Sequence, residues 1–436
     1  MTTNSIVTRP RKAGAALLAT VALSGVLTAC DEADGPQPAT SSSAPTRTAG
    51  AAGSQQGGLA DLAQRVVDAG APGVIMRADS GSGQVTEIAR QAPWSTGDHT
   101  LAATDQFRMG SNTKTMVATV LLQLIAEHRL ELTDPVSKWL PGLVPNGGAI
   151  TVRMLLNHTS GLFDYRDDPA VLKAFTGHDI RAWTPAELLA AAVRHDPLFG
   201  PGTSYTYSNT NYVALGLIAE KVTGQTMADL VQERIAKPLH LQNTYLVEGN
   251  GSGTDKSPTL AHGYEPDPTH IAALLPPWVP AGTTFAGPAR PANYVDTTAG
   301  NASTEWAAGA MVSTAQDWAT FDSALLSGKL LPPELLKEMK TTGPEEAEVP
   351  NRRYGLGLEQ VTTPCGTVWG HNGQVAGYSS EAYTDDTGTR TASVLTATIF
   401  GLASPKAGGA NQDLVNAAVC TMLGKPTPAS SPTPVG

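Results

Sequence analysis

Strand patterns near both ends of the chain enclose a long middle part with helical patterns, and this order restricts the fold more than any other feature. Two short strand candidates lie near the N-terminal end, at 74–77 and 84–89. Four more follow closely on one another near the C-terminal end, at 354–358, 367–369, 378–383 and 391–399. The order predicts one α/β unit built from 59–133 and 312–425, with a mainly helical insertion at 134–311.

The first residues, 1–30, have the organisation of a lipoprotein-type signal peptide. A basic segment, 9–12, precedes an apolar stretch at 13–27 that is too short to span a bilayer comfortably. The stretch leads into Leu-Thr-Ala-Cys, which resembles a bacterial lipobox with Cys30 as the lipidated residue. An ordinary signal peptide cleaved nearby is the alternative. Because several acyl chains on one residue hold a protein firmly to a membrane, we expect anchoring to the outer face of the cell membrane.

Two segments flank the folded body. Residues 31–58 consist mostly of Ser, Thr, Ala, Gly, Pro and Gln, so they cannot bury a core and are expected to form a flexible linker. Residues 426–436 have a similar composition and are expected to form a disordered tail. The folded body therefore extends over 59–425. One segment within it, 248–301, is rich in Pro, Gly and Thr, and a loop of that length is either functional or disordered.

Two cysteines remain beyond the one at the lipobox, Cys365 and Cys420. Outside the cytoplasm, an even number of cysteines is expected to be oxidised. Export and the even count therefore predict a disulfide between these two residues.

The charge balance and the positions of the histidines argue against two classes of partner. The formal net charge is -10, and the chain has no basic block in its body, which argues against nucleic acid as the main partner. His128, His158 and His195 show no metal-ligand spacing. We therefore predict neither a metal nor another cofactor, and we expect a monomer.

The segment Phe107-Arg108-Met109-Gly110-Ser111-Asn112-Thr113-Lys114 ends a polar loop and opens a run with apolar residues near helical spacing. We expect a helix from about Ser111, with Lys114 one turn further along the same face. The first helical turn carries unpaired N–H groups, and an amine beside a serine hydroxyl can take its proton. Ser111 is therefore a candidate nucleophile and Lys114 a candidate base. The simpler interpretation is a helix-capping serine followed by a solvated lysine.

Two further polar stretches could complete such a site. The first, 205–212, contains Tyr207, whose hydroxyl can relay a proton, and Asn209, whose amide can both donate and accept hydrogen bonds. The second, 369–378, places His371 among glycines that let a backbone edge approach a ligand closely. Taken alone, the first is equally a turn with a helix cap, and the second is equally a glycine-rich hairpin.

In the order Ser-x-x-Lys, Tyr-x-Asn and His-x-Gly, the three stretches together resemble the class C β-lactamase-like serine hydrolases, and among them the exocellular, penicillin-sensitive D-alanyl-D-alanine carboxypeptidases. The resemblance covers about 59–424. It rests on six stretches: Gly70-Ala71-Pro72-Gly73, Phe107 to Ser111, Leu155-Leu156-Asn157-His158-Thr159-Ser160-Gly161-Leu162, Tyr207-Ser208-Asn209, Tyr354-Gly355-Leu356-Gly357-Leu358 and Gly370-His371-Asn372-Gly373. It implies the serine β-lactamase/penicillin-binding fold, an antiparallel sheet flanked by helices with an all-helical insertion domain. It also supports the pairing of the two cysteines.

The resemblance further implies a covalent mechanism with named roles. Ser111 attacks the carbonyl group of a peptide or other small acyl donor. Lys114 and Tyr207 share the role of general base, and Tyr207 passes a proton to the leaving group. Asn209 positions the lysine and the substrate amide, while His371 forms a polar or cationic wall.

The third motif also supplies substrate-binding groups. The resemblance places the backbone N–H groups of Ser111 and Gln374 in the oxyanion hole, with Asn372 and Gly373 beside the substrate. The chain departs from the family here, because Asn372 and Gln374 stand where threonines are usual and Glu359 stands where a relative has a carboxylate-binding arginine.

These departures leave several functions open. The first is a D-alanyl-D-alanine carboxypeptidase that acts on cell-wall peptides. The second is an esterase, a β-lactamase or a D-amino-acid amidase or peptidase on the same scaffold. The third is a catalytically silent protein that senses β-lactams or peptidoglycan fragments.

Overall fold

The computed structural model of the protein describes residues 50–251, 257–277, 279–343 and 351–427. The predicted signal peptide with Cys30, most of the predicted linker and residues 428–436 lie outside the described part. The first helix, α1, extends over Gly50–Asp68 and so begins inside the segment predicted to be a linker. Extending a nucleated helix adds one hydrogen bond per residue, and this offsets the low helix propensity of the four glycines within 50–58.

Seven strands form one antiparallel sheet at the centre of the body. Across the sheet the order is β2 (Val85–Gln91), β1 (Gly73–Asp79), β13 (Thr391–Thr396), β12 (Tyr378–Thr384), β11 (Gly366–Val375), β10 (Glu359–Thr363) and β9 (Arg352–Tyr354). Strand β1 pairs with β13, with Val74 opposite Thr396, so the N-terminal hairpin joins the C-terminal strands. The α/β unit predicted from both ends of the chain is confirmed.

The sheet is covered on both faces. Side chains alternate along a strand, so Val74 and Met76 belong to one core while Ile75 belongs to the other. The first core lies under α1 and the last helix, α12 (Pro405–Met422). The second core is larger and contains the buried side chains of the helical part.

Along the described chain, the remaining helices come between the N-terminal strands β1 and β2 and the C-terminal strands β9 to β13. They are α2 (Thr113–Ala126), α3 (Val136–Trp139), α4 (Val152–Leu156), α5 (Pro169–Phe175), α6 (Pro185–Val193), α7 (Thr210–Thr223), α8 (Met227–Val231), α9 (Trp306–Gly309), α10 (Ala315–Leu326) and α11 (Pro333–Met339). Helix α2 is buried on nearly all sides and packs against α7 and α9, as expected for a central helix. Within the described residues, no helix is long and apolar enough to cross a bilayer.

The part at 134–311 also contains short strands, so it is not the all-helical insertion domain that the resemblance implied. One small sheet joins β3 (Phe107–Arg108), β8 (Met311–Ser313) and β4 (Tyr245–Leu246), and another joins β5 (Tyr264–Pro266), β7 (Tyr294–Asp296) and β6 (Ala289–Arg290). The second sheet lies inside 248–301, so the described part of that segment has ordered structure of its own. Strands of two or three residues are too short to produce a visible alternation of apolar and polar residues, which is why the sequence pattern missed them.

The strand predicted at 354–358 is also wrong. Strand β9 ends at Tyr354 and β10 begins at Glu359, so most of the predicted strand is the turn between them. Gly357 has a φ of +74° in this turn, a conformation that favours glycine. A Cβ atom at Gly357 would also lie 2.4 Å from the Cβ atom of Ala118 on α2, so the turn packs closely on that helix.

Candidate active site

Ser111 and Lys114 lie together at the start of the central helix. Ser111 sits in a 3₁₀ turn, Gly110–Asn112, and Lys114 is in the first turn of α2. The lysine Nζ atom is 3.0 Å from Ser111 Oγ, 2.8 Å from Asn209 Oδ1 and 2.7 Å from the carbonyl oxygen of Ala308. Its three hydrogen-bond partners hold Nζ in one place, and one of them is the candidate nucleophile.

The amine of Lys114 is tuned toward the neutral form. The side chain is fully buried, and this burial lowers its pKa from 10.5 to about 7, although the charges of Glu305 and Asp164 oppose the change. An amine with that pKa is unprotonated in about half of the molecules near neutral pH and can accept the serine proton. The interpretation of Lys114 as a solvated surface lysine is therefore wrong.

Asn209 is oriented by an acidic residue that the sequence analysis did not identify. Asp164 accepts hydrogen bonds from the backbone nitrogen and from Nδ2 of Asn209, at 3.1 and 2.7 Å. With Nδ2 donating to the carboxylate, Oδ1 is the atom that faces Lys114. Asp164 lies three residues after Gly161, in a loop, and only the tertiary structure brings it under Asn209.

Tyr207 lies beside the same amine. Its ring centroid is 4.9 Å from Lys114 Nζ, and the residue is buried. Burial raises the pKa of its hydroxyl well above the ordinary value, while the proximity of Ser111 opposes this rise. No hydrogen bond of good geometry joins the two hydroxyls. Tyr207 is therefore protonated near neutral pH, which suits a proton donor to a leaving group better than a base.

The third motif forms the edge of β11 next to Ser111. A Cβ atom at Gly110 would lie 2.5 Å from the backbone nitrogen of Gln374, and one at Gly373 would lie 2.0 Å from the carbonyl oxygen of Met109. Two glycines thus allow the strand and the 3₁₀ turn to approach closely. This brings the backbone of Gln374 close to Ser111, the arrangement that an oxyanion hole built from their two N–H groups requires.

A pair of hydrogen bonds also ties the 3₁₀ turn to the neighbouring strand, β12. Asn112 Nδ2 donates to Ser380 Oγ at 2.8 Å, and Ser380 Oγ donates to the carbonyl oxygen of Met109 at 2.8 Å. The sequence pattern gave no signal for Ser380, because its partners are about 270 residues away along the chain.

His371 is buried behind the edge of this strand. Its Nε2 atom is 3.0 Å from the hydroxyl of Tyr354, and its Nδ1 atom is 2.5 Å from the carbonyl oxygen of Asn372. Burial lowers its pKa below the ordinary value, although nearby Glu359 opposes this. Of the two roles expected for His371, the neutral polar wall fits the structure and the cationic wall does not.

Glu359 forms an ion-pair cluster with a single arginine. Arg352 donates to Glu359 at 2.5 Å and to Glu381 at 3.3 Å, and Glu359 is 3.8 Å from Nδ1 of His371. One guanidinium is thus shared by two carboxylates beside a neutral imidazole. The charge of this cluster, formed by Arg352, Glu359 and Glu381, is -1.

The two remaining cysteines lie away from these groups. Cys365 and Cys420 are joined by a disulfide with a Cα–Cα distance of 5.3 Å. The bond connects the turn between β10 and β11 to helix α12, and so links the sheet to the helix that covers it.

One group of side chains in the described residues has the geometry of metal ligands, at Asp98, His262 and Asp296. Arg290 donates to both carboxylates, at 2.6 and 3.0 Å, and His262 lies 3.0 Å from Asp296. A guanidinium is therefore already paired with both carboxylates and offsets one of their two negative charges. Spacing along the sequence did not reveal this group, because its members come from three separate loops and strands.

Comparison with known proteins gives consistent results. The sequence model of the family described as Beta-lactamase matches residues 59–416. The putative penicillin-binding protein PbpX of Bacillus subtilis is 27% identical over 252 residues, which cover 58% of this chain and 53% of PbpX. The chain therefore spans about half the length of that relative.

Two solved structures are similar over most of their length. A D-stereospecific amidohydrolase from Streptomyces sp. has a TM-score of 0.68 and 36% identity, with 82% of this chain and 98% of that chain covered. The D-amino acid amidase from Ochrobactrum anthropi SV3 has a TM-score of 0.71 and 25% identity, with 84% and 99% covered. Because the family match extends over most of the sequence and the site has the geometry described above, the chain belongs to the Beta-lactamase family.

Proposed function

We propose that the protein is a serine hydrolase that works through an acyl-enzyme on Ser111, with amides or peptides of D-amino acids as acyl donors. The observation that carries this proposal is the 3.0 Å contact between Ser111 Oγ and a buried lysine amine whose pKa is about 7. A catalytically silent sensor of β-lactams or peptidoglycan would have no need for a base held at that pKa.

The reaction follows from the positions of these groups. Neutral Lys114 takes the proton of the Ser111 hydroxyl as Oγ attacks the carbonyl carbon, and the oxyanion that forms accepts hydrogen bonds from backbone N–H groups at Ser111 and Gln374. Tyr207 donates a proton to the leaving nitrogen or oxygen, and the proton held by Lys114 restores the tyrosine. Water then attacks the ester in the same way, and the acid is released.

The charge of the cluster formed by Arg352, Glu359 and Glu381 favours acyl donors whose leaving group carries no negative charge. The leaving group departs beside Tyr207, whose ring centroid is 6.3 Å from that of His371, and the cluster lies behind His371. Its guanidinium is committed to two carboxylates, so a free carboxylate on the leaving group meets net repulsion. The names of the two structural neighbours, a D-stereospecific amidohydrolase and a D-amino acid amidase, support acyl donors with an uncharged leaving group.

A D-alanyl-D-alanine carboxypeptidase is the second candidate. It was the first expectation from sequence, and the name of the relative PbpX supports it. A matched pair of substrates separates the two candidates, namely an acylated D-alanyl-D-alanine and the same peptide with a C-terminal amide. They differ by one charge, and a repulsion of ~1.4 kcal/mol between that charge and the cluster would correspond to about 10-fold in kcat/KM.

The assay compares this pair with a D-amino-acid amide, a short acyl ester and a chromogenic cephalosporin. We expect the amidated peptide to be cleaved at least about 10-fold faster than the carboxylate, and all turnover to be lost in Ser111→Ala. Faster release of D-alanine from the carboxylate peptide would reverse the order of the two candidates. Turnover that survives in Ser111→Ala would remove the proposal altogether.

Export and lipid anchoring at Cys30 are part of the same proposal. The basic and apolar segments and the lipobox-like sequence support them. The full chain expressed in a bacterium should partition into the detergent phase, and Cys30→Ala should move it to the aqueous phase. Equal partitioning of the two forms would contradict anchoring, and light scattering of the mature form would test the expected monomer.

A further inference from the structure

His158 contacts the backbone on both sides of Tyr207. Its carbonyl oxygen accepts the N–H of Thr206 at 3.1 Å, and its Nδ1 atom accepts the N–H of Ser208 at 3.1 Å. Asn211, in the first turn of α7, places its Nδ2 atom 2.9 Å from the same Nδ1 atom. One residue therefore holds the segment 206–208, which carries Tyr207.

The protonation state of His158 follows from these contacts. A backbone N–H can only donate, so Nδ1 is the unprotonated nitrogen and the neutral ring carries its proton on Nε2. The residue is fully buried, and burial, with the charges of Lys114 and His371, lowers its pKa well below the ordinary value. His158 is therefore a neutral acceptor at the pH at which the site works.

The ring of His158 also packs on the ring of Tyr207. The two centroids are 4.2 Å apart and the planes are inclined by 26°, which is a stacked arrangement. Tyr354 meets the histidine ring edge-on at 4.7 Å, and the hydroxyl of Tyr354 reaches His371. Rotation of the Tyr207 ring away from Ser111 is therefore opposed both by stacking and by the fixed backbone.

The backbone of His158 restricts which residues can make these contacts. Its φ is +59°, in the left-handed region that asparagine, aspartate and histidine enter more readily than other side chains do. A residue at this position must tolerate that conformation, accept a hydrogen bond from Ser208 and present a flat surface to Tyr207. Histidine meets all three requirements.

We propose that His158 is a positioning residue for proton transfer by Tyr207, which it holds with its hydroxyl beside Ser111 and the departing group. The inference rests on the proposed function, because it assigns His158 a task in the release of the leaving group. It adds a role for the Leu155 to Leu162 stretch, in which the catalytic scheme uses no residue.

The test uses two substrates with the same acyl group and different leaving groups. An amide must receive a proton to depart, whereas p-nitrophenolate leaves without one. Loss of positioning at Tyr207 should therefore slow the amide much more than the p-nitrophenyl ester, and a general structural defect should slow both equally. General acid–base catalysis contributes roughly 10²- to 10⁴-fold, so a partial loss should lie between about 10- and 100-fold for the amide.

His158→Asn tolerates the positive φ and offers an acceptor to Ser208, but it lacks the ring. We expect kcat/KM, which reports acylation, to fall about 10- to 100-fold for the amide and to stay within about 3-fold for the ester. Tyr207→Phe should show the same selectivity, and adding His158→Asn to it should cause little further loss of amide turnover. His128→Asn is the matched control, because His128 also has a positive φ, +56°, but is exposed, and it should leave both rates unchanged.

Equal losses with the two substrates, or no loss with either, would overturn the role of His158. His158→Gly adopts the positive φ without strain and removes both the ring and the acceptor, and it gives the same comparison of substrates if His158→Asn does not fold. If the unaltered protein forms no acyl-enzyme with either substrate, the proposed function itself fails, and the role of His158 fails with it.

Discussion

The rate of acylation should depend on pH through Lys114. Burial lowers the pKa of this lysine from 10.5 to about 7, a difference that corresponds to ~5 kcal/mol between its two protonation states. At pH 7 about half of the amines are then neutral, whereas a lysine with the ordinary pKa would be neutral in roughly one molecule in 3,000. The environment of Lys114 thus increases the fraction of active base by about three orders of magnitude.

The sign of the effect follows from the role of the amine. A base must be unprotonated, so the acylation rate should rise with pH, with an inflection near pH 7, and become constant above it. Single-turnover measurement with a chromogenic ester between about pH 5 and about pH 9 would record this profile. Lys114→Arg should lower the rate at pH 7 at least about 10²-fold, because a guanidinium stays protonated throughout this range.

Lys138→Arg is the control, since Lys138 is half exposed and pairs with Asp134. It should reproduce the profile of the unaltered protein. A profile without an inflection below about pH 9, or a Lys114→Arg variant within about 10-fold of the unaltered rate, would refute Lys114 as the base.

Three further perturbations have defined expected outcomes. Replacing Cys365 and Cys420 by alanine should reduce the free energy of unfolding in urea by ~4 kcal/mol, because the disulfide closes a loop of 55 residues; a loss below ~1 kcal/mol would contradict this. Gly110→Ala should lower kcat at least about 100-fold, because the added Cβ would lie 2.5 Å from the backbone nitrogen of Gln374 and displace this oxyanion-hole N–H group. Gly83→Ala, also at positive φ but with open space around it, should leave kcat unchanged, and equal losses in the two glycine variants would argue against the displacement. Thr184→Ala removes the capping box of α6 and should lower the free energy of unfolding, measured by thermal denaturation, by ~1 kcal/mol without affecting kcat. An unchanged free energy of unfolding would show that the cap contributes nothing.

Local rules in the sequence predicted that Ser111 and Lys114 lie one helical turn apart on the same face. Helical periodicity after Ser111 fixed the position of Lys114 one turn away, and the structure places Nζ 3.0 Å from the serine oxygen. The strand patterns near both ends of the chain correctly predicted one sheet. The first inference depends on the spacing of residues that are near in sequence, and the second depends on an apolar and polar alternation that repeats over several residues.

The parts that could not be predicted depend on contacts between distant segments. Asp164 and His158 act on Asn209 and Tyr207 across a loop, and no spacing along the chain reports such a contact. The neutral state of His371 results from its burial on β11 beside Tyr354 and Glu359, which a sequence pattern does not show. The pairing of Arg352 with Glu359 likewise depends on β9 and β10 lying side by side, and the sequence patterns did not predict these two strands as neighbours.

The site of covalent modification tests the role of Ser111 as the nucleophile directly. The mature protein is incubated with penicillin and, separately, with an activated D-amino-acid ester, then digested and mapped by mass spectrometry. We expect one acyl group per molecule, on the hydroxyl of Ser111, and none in Ser111→Ala. An adduct on a different residue, or no adduct from either reagent, would contradict that role.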